Sequence, residues 1–228
     1  MSIRLAPLAC VLALAPTGCL CPPCPAAGGA ASPSAGSDSS TTRTASSGPV
    51  PDRLSIWDGD KVGSGQGWAD CDKKPGCKST VVKASGAGMK GSAGLKFHGE
   101  GPGWLGMGWN WFGWYPETAG TDISRYANLT FQIRVESKSP ETAVDPAAVT
   151  ALLGCSKGKK SSADAAVQKY TADFADGQWH KVAIPIADLL SGAGSVFDPG
   201  TAWEFRLSAW SATPREFTIY VDDIAAEK

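Results

Sequence analysis

The sequence predicts an all-β fold, best fitted by a two-sheet jelly-roll sandwich. Two observations carry that expectation. Short runs of alternating apolar and polar residues recur between Leu54 and Val221, parted by Gly- and Pro-rich turns. Only Ala187–Leu190, and at most Ala163–Val167, suits a helical turn. Many short strands with no helices between them leave a sandwich or a barrel, and roughly nine or ten strands suit a jelly roll.

The chain opens on a segment outside that fold. Met1–Arg4 carries one positive charge, and Leu5–Ala15 is apolar but shorter than the roughly 20 residues a spanning helix needs. Residues 1–18 read as a signal peptide and are set aside from fold reasoning. The segment resembles a bacterial lipoprotein signal, in which a small residue precedes a cysteine that is lipidated. Gly18-Cys19 fits, while Pro16 departs from the aliphatic residue usual three positions before the cysteine. Export and a lipid anchor at Cys19, in the cell envelope at the outer membrane or cell surface, are the expectation. Cys21-Pro-Pro-Cys24 has redox spacing but no strand–helix context, so it reads as a small disulfide or free thiols. Residues 19–51 are Ala, Gly, Ser, Thr and Pro with almost no bulky apolar side chain, which describes a flexible linker. The folded domain is expected over residues 52–228.

Within it, Leu54–Asp58 reads as the first strand, turning at Gly59-Asp60. Trp68–Lys78 reads as a loop holding Cys71 and Cys77 around Lys74-Pro75-Gly76. A disulfide between these two is expected in an oxidising compartment, with a pairing of either to Cys155 as the alternative. Thr80–Ala84 and Leu95–His98 are strands. Leu129–Val135 is the clearest one, with Leu129, Phe131, Ile133 and Val135 inward and Thr130, Gln132 and Arg134 outward. Val149–Leu153, Val167–Phe174, Trp179–Ile184, Trp203–Leu207 and Phe217–Val221 complete the set.

The stretch Gly101–Tyr115 is unlike the others. It holds Trp104, Trp109, Trp111 and Trp114, four of the nine tryptophans, with glycines between them. A strand that only fills a core would use Val, Ile and Leu. Glycine weakens a strand and often marks the close approach of another group. An indole offers a flat apolar face with one N–H at its edge, a surface on which the C–H face of a sugar ring can lie. Alternation puts Leu105, Met107, Trp109 and Trp111 on one side and Asn110, Phe112 and Trp114 on the other. One side must be core, so the loop end, Trp114-Tyr115, is the part expected to be exposed. Asn110, Gln132 and Arg134 are the candidates for polar groups at the rim. The competing interpretation is a Trp-rich core.

Five pieces then occur in order: Gly91-Ser-Ala-Gly-Leu-Lys-Phe97, Gly103-Trp-Leu-Gly106, Thr121–Ile133, Trp179–Asp188 and Tyr220-Val-Asp-Asp-Ile224. The set resembles the galactose-binding-like jelly rolls, in particular the family 11 type of carbohydrate-binding module and its relatives. That resemblance implies a non-catalytic domain that binds glycan, often with a structural calcium. In such modules an acid near the first strand and one in the final Asp-Asp pair help hold the ion, which maps onto Asp58, Asp60, Asp222 and Asp223. The sequence departs from the pattern in its Trp-rich loop, Trp109–Tyr115, and in its Cys71–Cys77 insertion.

Other chemistry finds little support. Both G-x-G-x-x-G matches, Gly86–Gly91 and Gly101–Gly106, lack the helix that a dinucleotide fingerprint opens. His98 and His180 are the only histidines and lie in separate strands, with no zinc-ligand spacing. No G-x-S-x-G elbow is present. Lys157-Gly-Lys-Lys160 reads as a solvated basic turn. A formal charge of −1 argues against a nucleic-acid footprint. A glycosidase needs two flanking carboxylates, and Glu100 and Glu117 are the candidates near the aromatic stretch. Three functions therefore compete. They are a glycan-binding surface lipoprotein, a structural or protein-interaction lipoprotein on the same fold, and a polysaccharide-active enzyme.

Overall fold

A computed structural model describes residues 49–60, 65–114, 119–191 and 196–228. The signal segment, Cys19, Cys21–Cys24, nearly all of the linker, Tyr115 and Glu117 lie outside the described residues. Alternating sequence becomes strand almost throughout. The strands are β1 (Arg53–Trp57), β2 (Gln66–Cys71), β3 (Lys78–Ala84), β4 (Gly94–Asn110), β5 (Asn128–Ser137), β6 (Val149–Cys155), β7 (Lys160–Ser161), β8 (Ala165–Ala166), β9 (His180–Pro185) and β10 (Ala202–Glu227). One short helix, α1 (Ile186–Leu190), follows β9.

Hydrogen bonding joins the ten strands into one sheet, and two long strands divide it into leaves. β4 and β10 pair antiparallel from Glu204↔Asn110 to Val221↔Leu95, with one break between Ser211 and Arg215. Opposite that break Gly101 and Gly103 take φ of 109° and 95°, a conformation that side chains other than glycine rarely adopt. There is no room for a side chain either. A Cβ on Gly101 would fall 2.7 Å from the Cys77 Cα, and one on Gly103 2.4 Å from the Asp72 carboxylate.

On one side of the break, β3, β4, β10, β5 and β9 lie in that order, with β1 along the end of β10. This is the first leaf. On the other side β2, β4, β10 and β6 make the second leaf, with β7 and β8 on its edge. The leaves face each other. Phe131 of the first meets Phe205 of the second edge-on at 5.0 Å, and Trp57 meets Trp109 at 6.0 Å. Leu95, Phe97, Leu129, Ile133, Ile219 and Val221 fill one inner face, and Leu105, Met107, Leu153 and Leu207 the other. Each such side chain contributes roughly 1.5–3 kcal/mol by burial.

Three expectations need correction. Gln66–Cys71 is a strand, not part of a loop. Pairing with β4 outweighs the poor strand preference of Gly67 and Asp70. Val167–Phe174 is not a strand: Val167–Lys169 is a 3-10 turn. Only its ends, Val167 and Phe174, are buried apolar anchors, and Asp173 between them has φ 54°. The strands expected at Trp203–Leu207 and Phe217–Val221 are two parts of the single strand β10. The Cys71–Cys77 disulfide is present, and Cys155 is a buried free thiol. Because β2 lies in the second leaf and β3 in the first, this bridge ties the leaves together beside the break in the β4–β10 ladder.

Candidate functional site

The second leaf carries an outer face built by strand alternation. Leu105, Met107 and Trp109 of β4 point into the core, which turns Trp104, Gly106, Gly108 and Asn110 outward. Register sets Trp210, Ser208, Arg206 and Glu204 of β10 beside these four in that order. On the far side β2 sets Asp70 beside Gly106, Trp68 beside Gly108 and Gln66 beside Asn110.

The glycines explain how two indoles fit. A Cβ on Gly106 would lie 2.1 Å from the Trp104 ring, and one on Gly108 would lie 2.2 Å from Nε1 of Trp68. Both rings therefore lie against the bare backbone of β4 rather than standing off it. Trp68 is fixed further by its N–H, which donates to Oε1 of Glu204 at 2.5 Å. Glu204 is buried and forms an ion pair with Arg206, whose Nε donates to Oε2 at 2.6 Å. Arg206 also donates to Ser161 Oγ at 3.0 Å and sits 5.6 Å from the Trp68 ring centre. A buried charge needs such pairing; the pair neutralises itself and holds the ring. Trp104 is held through its backbone, its N–H donating to Oδ2 of Asp72 at 3.1 Å and its carbonyl accepting the Asp72 N–H at 3.0 Å. Asp72 follows Cys71, so the disulfide loop sets this ring.

Asn110 differs from its neighbours. It is fully buried, yet neither Oδ1 nor Nδ2 has a hydrogen-bond partner among the described residues. A buried polar group left so costs about 1–3 kcal/mol. Asn110 lines a cleft of about 450 Å³ together with Trp68, Asp70, Trp114, Trp203 and Glu204, with Lys159 and Lys160 on one wall. Trp114 reaches it through a turn in which the Gly113 N–H donates to the Asn110 carbonyl. Flat apolar faces beside an amide that can both donate and accept suit a ring that is apolar on its face and hydroxylated at its rim.

The candidates from the sequence divide among three places. Trp104 and Trp114 are 37% and 47% exposed on this outer face, and Asn110 is in the cleft. Trp109 and Trp111 are buried in the core, where the Trp111 N–H donates to Thr121. Gln132 and Arg134 lie on the first leaf, away from the cleft. There Arg134 sits 4.3 Å from the Tyr220 ring centre and 5.3 Å from that of Trp179. Glu100 is also on the first leaf, paired with Lys78 at 3.0 Å. Trp68, Glu204 and Arg206 line the cleft and Trp210 stands beside Trp104, none of them in a local motif; Lys159 and Lys160, from the turn that reads as solvated, line the cleft as well. Outward parity in Trp203–Leu207 was the one sign that Glu204 and Arg206 face away from the core.

The four acids proposed for calcium do not all converge. Asp223 pairs with Arg53 at 2.5 Å. Oδ1 of Asp58 accepts the Asp60 N–H, and Oδ1 of Asp60 accepts the Ala93 N–H. Asp222 accepts from Met89 N–H at 2.9 Å and Ser92 Oγ at 2.8 Å, and burial holds its carboxyl above the usual range. Asp222 Oδ2, Ser92 Oγ and the Ala93 carbonyl crowd around Gly88. These are hard oxygen donors of the kind calcium takes, although only one of the four acids is among them. Among the described residues, no three His, Cys, Asp or Glu side chains come together as a metal site.

The fold matches known structures. The family 30 carbohydrate-binding module of a cellulosomal cellulase of Clostridium thermocellum is similar at a TM-score of 0.54 with 18% identity, over 76% of this chain and 95% of that one. The family 11 module of a cellulosomal cellulase of the same organism gives 0.50 and 12%, over 78% and 96%. A β-1,2-glucanase from Parabacteroides distasonis gives 0.54 and 19%, over 78% of this chain but 25% of the enzyme. At these identities the likeness establishes the β-sandwich alone. No curated protein matches the chain in sequence. The sequence pattern of carbohydrate binding domain 30, however, runs over residues 55–228, from within β1 to the end of β10. Both leaves and the cleft fall inside that span, and the chain belongs to this family of non-catalytic carbohydrate-binding modules.

Proposed function

We propose that the outer face of the second leaf is the glycan-binding surface. In this reading sugar rings stack on Trp68, Trp104 and Trp114, while Asn110 exchanges hydrogen bonds with a ring hydroxyl pair. The observation that carries it is the buried amide of Asn110, which lines the cleft without a hydrogen-bond partner among the described residues. Trp210, 56% exposed and beside Trp104, extends the apolar row. Between the Asn110 and Trp104 positions lie six strand steps, about 20 Å at roughly 3.3 Å each, a length that suits an internal stretch of a polymer rather than one sugar. Ring contacts of about 0.5–1.5 kcal/mol each and hydrogen bonds of about 1 kcal/mol net imply affinities from about micromolar to millimolar.

The test is affinity electrophoresis of the full chain and its variants against a panel of polysaccharides, with melting curves. Asn110→Ala should lose about tenfold or more in affinity, or 1.4 kcal/mol, and melt no earlier, because the amide holds nothing in the protein. An earlier melt with full binding refutes the assignment. Trp68→Ala should bind weakly as well.

Two further readings belong to the same proposal. Export and anchoring at Cys19 would display the module at the cell envelope; an unmodified mature N-terminus by mass spectrometry disproves the anchor. Calcium at Asp222, Ser92 and the Ala93 carbonyl would offset the burial of that carboxylate; an unchanged melt after chelation, with no metal detected, disproves the ion.

A further inference from the structure

Trp104 stands outside the cleft, and its surroundings show what holds it there. β2 ends at Cys71, beside Leu105 of β4. One residue on, Asp72 still makes both hydrogen bonds of an antiparallel rung, but not with its backbone alone. Its N–H donates to the Trp104 carbonyl at 3.0 Å. Its own carbonyl has turned away to accept the Lys74 N–H at 2.6 Å, and Oδ2 of its carboxylate accepts the Trp104 N–H instead, at 3.1 Å. The chain returns through Cys77, which packs against the bare Cα of Gly101. The disulfide therefore brackets Trp104, with Cys71 against Leu105 on one side and Cys77 against Gly101 on the other. It closes the turn from which Asp72 reaches in. On β10 the ladder breaks just past the same point, after Ser211↔Gly103, so the loop supports Trp104 where strand pairing is running out. Held in this way, the ring lies over Gly106, four residues short of Asn110, or about 13 Å at roughly 3.3 Å per residue. Trp68, over Gly108, fills the interval.

We propose that Asp72 and the Cys71–Cys77 bridge are positioning residues of a distal subsite, where Trp104 stacks on a sugar that only a longer chain brings there. This rests on the outer face being the glycan surface, and it adds a basis for selecting chain length. A short oligosaccharide held by Asn110 and Trp68 never reaches Trp104. A polymer seated in the same cleft continues over Trp104 and gains one more ring contact. Loosening the loop releases the Trp104 backbone without touching Trp68, whose ring is held separately by Glu204 and Arg206. The two halves of the face are thus fixed by different means, one by an ion pair and the other by a covalently closed loop.

The experiment titrates the full chain with β-glucan, mannan and xylan, each as the polymer and as a ladder of oligosaccharides from the disaccharide upward. The parent is compared oxidised and after dithiothreitol, which turns the bridge into two thiols and itself becomes a cyclic disulfide. Asp72→Ala, Asp72→Asn, Trp104→Ala and Trp68→Ala are measured with the bridge intact. Reduction, Asp72→Ala and Trp104→Ala should each lower affinity for long chains by roughly threefold to tenfold, the worth of one stacked ring. The shortest ligands that bind should be unaffected by all three. Trp68→Ala should weaken every length. Asp72→Asn keeps an acceptor and should bind as the parent does; a loss there as large as in Asp72→Ala overturns the role given to Asp72. Removing a bridge lowers stability, so if reduction unfolds the chain, Asp72→Ala decides. A loss equal at every length, no loss at all, or a further loss when the Trp104→Ala protein is reduced overturns the distal subsite and leaves the cleft as the glycan site. Failure of the parent to bind any of the polymers overturns the glycan surface as well.

Discussion

The two outer faces of the sandwich are made by the same two strands, and they differ in almost every outward residue. On the first leaf β4 turns out Lys96, His98 and Glu100, opposite Tyr220, Thr218 and Glu216 of β10. Most of the charged groups here pair with a neighbour, although Nε of Arg134 is buried without a hydrogen-bond partner among the described residues. Glu100 pairs with Lys78, Glu216 with Lys138, His98 touches Thr218, and Arg134 lies over Tyr220. On the second leaf β4 turns out Trp104, Gly106, Gly108 and Asn110. Here rings lie on bare backbone and a buried amide has no partner among the described residues. Strand geometry is common to both. A face whose carboxylates are paired with lysines is simply solvated. One that keeps polar capacity open beside flat apolar surface is prepared for another molecule.

The sharpest break in that comparison is Glu204→Ala. It strands the Arg206 guanidinium and frees the Trp68 ring at once. Breaking a buried pair costs about 3–5 kcal/mol; with Arg206 a third exposed, roughly 3 kcal/mol is expected by denaturant melting, together with loss of glycan binding. Glu216→Ala, the matching acid on the first leaf, should leave binding at the parent level. Equal effects of the two variants would mean the faces do not differ in the way argued.

Next in size is Gly108→Ala. The added methyl would occupy the place of the Trp68 ring, and the ring must lift. Overpacking costs about 1–3 kcal/mol, and affinity should fall with it. A variant that binds as the parent does shows that the flat ring position is not used. Smaller still is Arg134→Ala, which removes cation–π contacts of about 0.5–1 kcal/mol on the first leaf and should leave titration with glycan unchanged.

The smallest expected effect is the pH response of the first leaf. A hydrogen bond from Lys78 and its charge hold the Glu100 carboxyl below its usual range, and His180 does the same for Asp176. A carboxyl lowered by folding stabilises the protein above its unfolded value, and that contribution disappears as pH falls through the folded value. Asp222, raised by burial, acts oppositely: stability rises as pH falls through its folded value. Melting temperature should therefore change only shallowly through the carboxylate range, and Lys78→Ala should remove part of the acid-side loss. If Lys78→Ala has the same acid profile as the parent, that pair contributes nothing.

Much of this was legible in the sequence, in a particular sense. Alternation put Trp109 and Asn110 on opposite sides of their strand without saying which side is core, so Trp109 and Trp111 stood among the site candidates although both are buried in the core; it sent Arg134 outward. Parity says which side of its own strand a residue takes. It does not say which leaf's exterior that side becomes, so Arg134 and Asn110 were grouped although a whole sandwich lies between them. The partners of the cleft were hidden for a related reason. Trp68 and Glu204 are 136 residues apart, and only register brings them together. Trp68 was further obscured because Gly67 and Asp70 make β2 look like a loop. The basic turn at Lys157–Lys160 had an unremarkable composition; its meaning depends on what lies across from it.

One feature of the scaffold bears on mechanics. β10 starts beside the cleft at Glu204 and ends beside β1, where Glu227 pairs with Arg53. A chain held from the segment before β1 and pulled by a polymer lying on the second leaf would carry part of the load along β10. A non-covalent joint on that path is the short β1–β10 ladder, from Arg53↔Glu227 to Trp57↔Ile224, extended by the Lys228 N–H on the Asp52 carbonyl. Under tension along β10 that ladder bears load that the disulfide between the leaves does not share.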